Sequence, residues 1–165
     1  MYEAFWSIIS SFGEIAYWIG FAVSLFVIHP LLDKKDVKKV GWIFYSLLPS
    51  VFLASLSAGA MKIIFAVARP CIGLASCPTS YSFPSGHASI IFAFATVIIL
   101  YEKKYRSYLW AIPLALLVGL SRIALGYHTP IDVLGGAFVG MLIGILVYRF
   151  ENICKNIVKM IGIKV

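Results

Sequence analysis

Residues 108–150 read YLWAIPLALLVGLSRIALGYHTPIDVLGGAFVGMLIGILVYRF. Two apolar runs, Tyr108 to Leu125 and Ile131 to Phe150, flank a short polar junction. Neither run alternates with period two, so each reads as a helix rather than a strand. Each is close to the roughly 20 residues that a helix needs to cross a hydrocarbon core of about 30 Å. The polar stretch Ser121 to Asp132, which overlaps the facing ends of both runs, carries Arg122, His128 and Asp132. Ionisable side chains near membrane depth are costly to keep, and they mark function by default.

Working outward, three more apolar runs appear: Phe5 to Ile28, Val40 to Ala68 and Pro84 to Leu100. The chain is 61% hydrophobic and 13% charged, where a soluble domain carries about 25% charged residues. In lipid, backbone groups must be satisfied within helices or a closed barrel, and these long unbroken runs choose helices. The expected fold is all-α: a polytopic membrane helix bundle of about five spans, forming one domain over residues 1–165. The second run is long enough to tilt or protrude, and Pro49 marks a kink within it.

Three connecting segments are basic. Asp33 to Lys39 holds four Lys, Glu102 to Arg106 holds two Lys and an Arg, and Arg149, Lys155, Lys159 and Lys164 follow the last run. The positive-inside rule puts these on the cytoplasmic side. The N-terminus, the 69–83 loop and the 127–130 turn then lie outside, and the C-terminus inside. No basic segment precedes the first run, which reads as an uncleaved anchor. The net charge of +7 is a topology signal; Lys and Arg lie mostly between and after the runs, not on a nucleic-acid surface with interleaved aromatics.

Two further polar islands, Lys62 to Pro70 and Pro84 to His87, are expected on the same outer face as the junction. Lys62 and Arg69 are seven residues apart, two turns on one helix face, before Pro70 stops the helix. Their plain alternative is snorkelling toward headgroups. Pro84-Ser85-Gly86-His87 opens a helix whose first N–H groups form an anion site, with Ser85 able to cap and Gly86 allowing close approach. Thr129-Pro130-Ile131-Asp132 reads as a variant capping box. Asp132 also stands four residues after His128, so it can accept from one ring nitrogen and leave the other nucleophilic. Lys62, Arg69, Arg122 and helix N–H groups would hold phosphoryl oxygens, one His would attack phosphorus, and the other would protonate the leaving oxygen. A two-metal site needs several neighbouring carboxylates. Asp132, Glu3 and Glu14 are too few, so metal-independent chemistry without a cofactor is expected.

The order K-x6-RP, PSGH, SR-x5-H-x3-D, met here by Lys62 to Pro70, Pro84 to His87 and Ser121 to Asp132, resembles the type 2 phosphatidic acid phosphatase superfamily at every fixed position. The resemblance implies a helical phosphatase that forms a phosphohistidine. His128 resembles the nucleophile, Asp132 its orienting partner and His87 the general acid. Lys62, Arg69, Ser85, Gly86 and Arg122 resemble the phosphate-binding set. Membrane members usually have six spans, one more than the runs here, and the difference falls before the second run. The first run could instead be an interfacial helix followed by a short crossing. Substrates of the membrane branch include polyprenyl diphosphates, phosphatidylglycerophosphate, phosphatidate and lipid A phosphates. A compact chain of this kind implies a prokaryotic cytoplasmic membrane enzyme whose site faces the exterior or periplasm. A phosphotransferase using the same site, and an anion or lipid transporter, are the alternatives; a transporter would show paired broken helices or an inverted repeat.

Four other features carry expectations. Cys71 and Cys77 on an oxidising face could form a small disulfide loop, leaving Cys154 free. Glu14 falls in the middle of the first run, neutral or bonded to a neighbouring helix, with lipid gating as a further possibility. Gly136, Gly140 and Gly144 give the last run a small-residue face for packing within a monomer. Trp6, Trp18, Trp42 and Trp110 serve as interfacial anchors, and His29 is structural.

Overall fold

Gly136, Gly140 and Gly144 recur every fourth residue and share one face of a helix. That face lets two backbones meet. In the computed structural model, which describes residues 2–28, 31, 41–73, 77–102 and 105–162, it belongs to α6, Pro130–Arg149. It packs on α4, Gly86–Glu102. A Cβ at Gly136 or Gly140 would run into the carbonyl oxygen of Ser85 or Ser89, and one at Gly144 would come within 2.9 Å of Thr96 Cβ. Helix α4 is the bundle's axis. It buries Ala88, Ile91, Ala95 and Val97 among its neighbours, as expected of a helix apolar on all sides.

Helices α3 (Ile43–Phe65) and α5 (Arg106–Ala124), with α6, are long and apolar enough to cross a membrane. Helix α3 opens with a π-helical turn, Ile43–Leu47, with Pro49 in the first turn of the α-helical part. Helix α4 has 17 residues, at the short end of a spanning length. Large apolar side chains such as Ile63, Leu134 and Phe138 remain exposed on the outside. In water such a surface would be an aggregation hazard; in lipid it is the solvated face. An amphipathic helix, α7 (Glu151–Met160), closes the bundle and packs Val158 against Phe44 and Leu48. It was not anticipated, because its amphipathic pattern is too polar for a count of apolar runs to register.

The first run differs from a single span. It forms α1 (Tyr2–Ser11) and α2 (Ile15–Ile28), bent by 46° at the break. The cause is contact: Gly13 lies against His87, and a Cβ there would sit 2.8 Å from His87 Cβ. Trp18 Nε1 donates to the Phe12 carbonyl at 3.0 Å and holds α2 to the break. The second run also ends early. Ala66 adopts a left-handed conformation (φ 46°) and donates its N–H to the Lys62 carbonyl. Arg69 therefore lies beyond the helix, and the expected two-turn face for Lys62 and Arg69 does not form. The basic segment Asp33 to Lys39, Lys103, Lys104, Lys164 and His29 lie outside the described residues.

Gly140→Ala should force the α4 and α6 backbones apart. Overpacking of this kind costs about 1–3 kcal/mol, or a fall of roughly 2–10 °C in melting temperature. Gly20→Ala, with nothing within 4 Å of the added carbon, should leave melting in detergent unchanged.

Candidate active site

Four helix ends meet at one end of the bundle. Lys62 is in the last turn of α3, His87 in the first turn of α4, Arg122 in the last turn of α5 and Asp132 in the first turn of α6. The α5–α6 junction is tight because the Arg122 carbonyl accepts from both Tyr127 N–H and His128 N–H. Helix α6 then starts from a capping box: Asp132 N–H donates to Thr129 Oγ1 at 3.3 Å, and Thr129 N–H to Asp132 Oδ2 at 2.7 Å.

Asp132 reaches His128, but not as the spacing predicts. His128 Nδ1 and Asp132 Oδ2 are 3.7 Å apart, beyond hydrogen-bond length. Ser82 stands between them. Its Oγ donates to Asp132 Oδ2 at 2.6 Å and lies 3.3 Å from His128 Nδ1. On the other side of the ring, Arg69 Nη1 is 3.1 Å from Nε2. His128 and Asp132 are both buried. Burial first, then the charges of Arg69, Lys62 and Arg122, push the His128 pKa down from 6.5 to about 3, against an opposing pull from Asp132. The ring is neutral at ordinary pH and keeps a nitrogen lone pair.

The cations are held by carbonyls rather than by carboxylates. Lys62 Nζ donates to the carbonyls of Tyr81 (2.5 Å) and Ser82 (3.0 Å). Arg69 donates to the Ser80 carbonyl (2.7 Å), Ser80 Oγ (2.9 Å) and the Tyr127 carbonyl (3.0 Å). Both side chains are therefore positioned without a direct ion pair among the described residues, which suits an incoming anion. The Pro84–His87 segment is anchored by Ser85 N–H to the Asp132 carbonyl at 2.9 Å. Ser85 Oγ, fully buried, is 3.5 Å from Ala88 N–H, the position of a weak helix cap. Gly86 opens the helix with no atom in the way of an added Cβ. Cys71 and Cys77 are joined as a disulfide, with Cα atoms 5.5 Å apart, in the loop that follows Arg69 and Pro70; Cys154 carries none.

Arg122 and His87 line a polar cavity of about 700 Å³ whose other wall is α1. Arg122 Nη1 donates to Ser10 Oγ at 2.5 Å, the guanidinium lies 4.9 Å from the Tyr127 ring centre, and its Nε is buried without a partner among the described residues. Glu14 is at the α1–α2 break, exposed to this cavity rather than buried within a span. An apolar groove of about 600 Å³ between α2, α4 and α5 is walled by Trp18, Phe21, Phe94 and Trp110, and Ser11 lines both this groove and the polar cavity. Sequence reasoning missed Ser10 and Ser82. The signal for Ser10 was present: Ser7, Ser10, Ser11 and Glu14 have helical spacing and share one polar face inside an apolar run. Ser82 had no such signal. Among the described residues no three His, Cys, Asp or Glu side chains group as metal ligands.

The PAP2 superfamily profile matches residues 39–155. A protein of Sulfolobus acidocaldarius named undecaprenyl-diphosphatase is 31% identical over 147 residues, covering 87% of this chain and 68% of that one. Among solved structures, the fold is similar to a transmembrane PAP2-type phosphatidylglycerolphosphate phosphatase from Bacillus subtilis (TM-score 0.69, 26% identity, 91% of this chain and 76% of that one). It is also similar to Aquifex aeolicus LpxE (TM-score 0.68, 26% identity, 89% and 85%).

The depressed His128 pKa has a consequence for stability. The unfolded chain takes up a proton at this ring near pH 6.5, whereas the folded chain does so only near pH 3. Between those values the unfolded state binds more protons, so this residue's contribution falls as pH falls. His128→Gln should remove that part of the acid sensitivity. Melting curves in detergent at pH 7 and pH 4.5 should show a smaller drop for the variant than for the parent.

Proposed function

From the premise that this chain belongs to the PAP2 superfamily and is an integral membrane lipid phosphatase, we propose that it works through a phosphohistidine on His128 without a metal. The observation that carries this reading is the contact of Arg69 Nη1 with His128 Nε2. Arg69 can only donate, so Nε2 is the unprotonated nitrogen. A phosphoryl oxygen that takes over the Arg69 N–H would uncover the lone pair and hold phosphorus beside it.

Nε2 then attacks phosphorus, and the bond from phosphorus to the leaving oxygen breaks. His87 gives that oxygen its proton. Water attacks the phosphohistidine with His87 taking the proton back, and inorganic phosphate leaves. Lys62, Arg69 and Arg122, with Ser85 and the N–H groups at Gly86, stabilise the charge on the equatorial oxygens.

The polar cavity takes the head group, and the aromatic-walled groove, with which it shares Ser11, takes a hydrocarbon chain. Similarity to a protein named undecaprenyl-diphosphatase across 87% of the chain supports taking a polyprenyl diphosphate as the first candidate. Phosphatidylglycerophosphate, phosphatidate and lipid A 1-phosphate follow. The site is read as facing the periplasm or exterior of a prokaryotic cell.

Phosphate release from these four lipids in detergent tests the reading. Polyprenyl diphosphate should have the highest kcat/KM, vanadate should inhibit, and EDTA should leave the rate unchanged. His128→Ala should lower kcat by about 10³-fold or more, and His87→Ala by about 10²- to 10⁴-fold. Full retention by His128→Ala overturns the nucleophile assignment; loss with EDTA overturns the metal-free one.

A further inference from the structure

We propose that Ser82 is a positioning residue for His128, linking the imidazole to Asp132 and fixing which ring nitrogen bears the proton. The proposal rests on the reading of His128 as nucleophile. Ser82 lies outside the three sequence motifs, two residues before Pro84, and its side chain is fully buried.

The need for a link comes from the helix start. Asp132 Oδ2 is committed to the capping box through Thr129 N–H at 2.7 Å. Held there, it is 3.7 Å from His128 Nδ1, too far for a direct hydrogen bond. Ser82 Oγ fills the gap, at 2.6 Å from the carboxylate oxygen and 3.3 Å from the ring nitrogen. The seryl position is itself fixed from the backbone, by Ser82 N–H to the Val67 carbonyl (2.8 Å) and by Lys62 Nζ on the Ser82 carbonyl (3.0 Å).

The proton directions follow from what each group can do. An ionised carboxylate only accepts, so the single Ser82 hydroxyl proton goes to Asp132. Ser82 Oγ is left with lone pairs toward Nδ1 and can only receive a proton from it. Arg69 demands an acceptor at Nε2, 3.1 Å away. Both neighbours select one tautomer, Nδ1–H with the lone pair on Nε2. When the Nε2–phosphorus bond forms and the leaving oxygen departs with a proton from His87, the ring becomes a phosphoryl-imidazolium. Its positive charge is then shared through Nδ1–H and Ser82 with Asp132. No proton needs to leave the ring.

Kinetics and NMR on the full chain in detergent test this. With farnesyl diphosphate as substrate, Ser82→Ala should lower kcat about 10- to 100-fold, the worth of a hydrogen bond to a charged group, with KM within about 3-fold. Ser82→Cys keeps the shape but donates weakly, and should fall in the same range. Ser82→Thr restores the hydroxyl and should recover most of the rate. Ser82→Ala combined with Asp132→Asn should be no slower than Asp132→Asn alone, because the serine acts through the carboxylate. In the substrate-free parent, ¹⁵N shifts of His128 should report a protonated Nδ1 and a bare Nε2, and Ser82→Cys or Ser82→Ala should mix the two tautomers. An unchanged kcat, multiplied losses in the double variant, or an unchanged tautomer each overturns the proposal. Full activity in His128→Ala would instead overturn the nucleophile reading, and the tautomer measurement would still decide the role of Ser82.

Discussion

The site depends on where α6 begins. Asp132 closes the first turn of that helix by capping Thr129, and the same carboxylate oxygen receives Ser82. Its carbonyl receives Ser85 N–H and so ties the start of α4 to the start of α6. A single residue thereby sets the helix boundary, the His128 environment and the placement of the Pro84–His87 segment. The glycine face of α6 makes this possible lower down, since only backbones in near contact can bring two helix starts within one hydrogen bond of each other. Structural and chemical readings of Asp132 therefore do not compete. The cap is what immobilises the carboxylate.

Charge balance explains why the site is ready for an anion. Lys62, Arg69 and Arg122 all act on the His128 ring, and Asp132 opposes them there. If Lys62 and Arg69 were paired with acids, a phosphate would have to break ion pairs before binding. They rest on carbonyl oxygens and a hydroxyl instead. Those partners orient the donors but leave the positive potential intact. The cost of holding Lys62 and Arg69 together is offset by loop carbonyls, those of Ser80, Tyr81, Ser82 and Tyr127, which have no helical partner to serve.

Local structure within the motifs was legible in the sequence; geometry between motifs was only partly so. The capping box at Thr129 and Asp132, the helix start after Ser85 and the glycine face of α6 follow from local rules, and the structure has them. The helical register proposed for Lys62 and Arg69 fails at Ala66, where the backbone turns left-handed without a glycine to announce it. The spacing of His128 and Asp132 predicts a contact, but it cannot predict that the cap holds the carboxylate too far away. Ser82 is invisible for the same reason. Its partners are 46 and 50 residues away, and nothing in its neighbours' spacing encodes them.

The N-terminal part shows how a break in a hydrophobic run can serve a site. A straight first helix would keep Ser7, Ser10, Ser11 and Glu14 in lipid, where polar side chains have few partners. Bent at Phe12 to Glu14, the chain turns this polar face toward Arg122 and His87 and leaves α2 apolar beside the groove. Gly13 is the pivot, because any larger residue would meet His87 before the bend could close. Ser11, just before the break, lines both the polar cavity and the apolar groove. One local interruption thus sorts the surroundings: polar residues before it line the cavity with Arg122 and His87, and aromatic residues after it, Trp18 and Phe21, line the apolar groove.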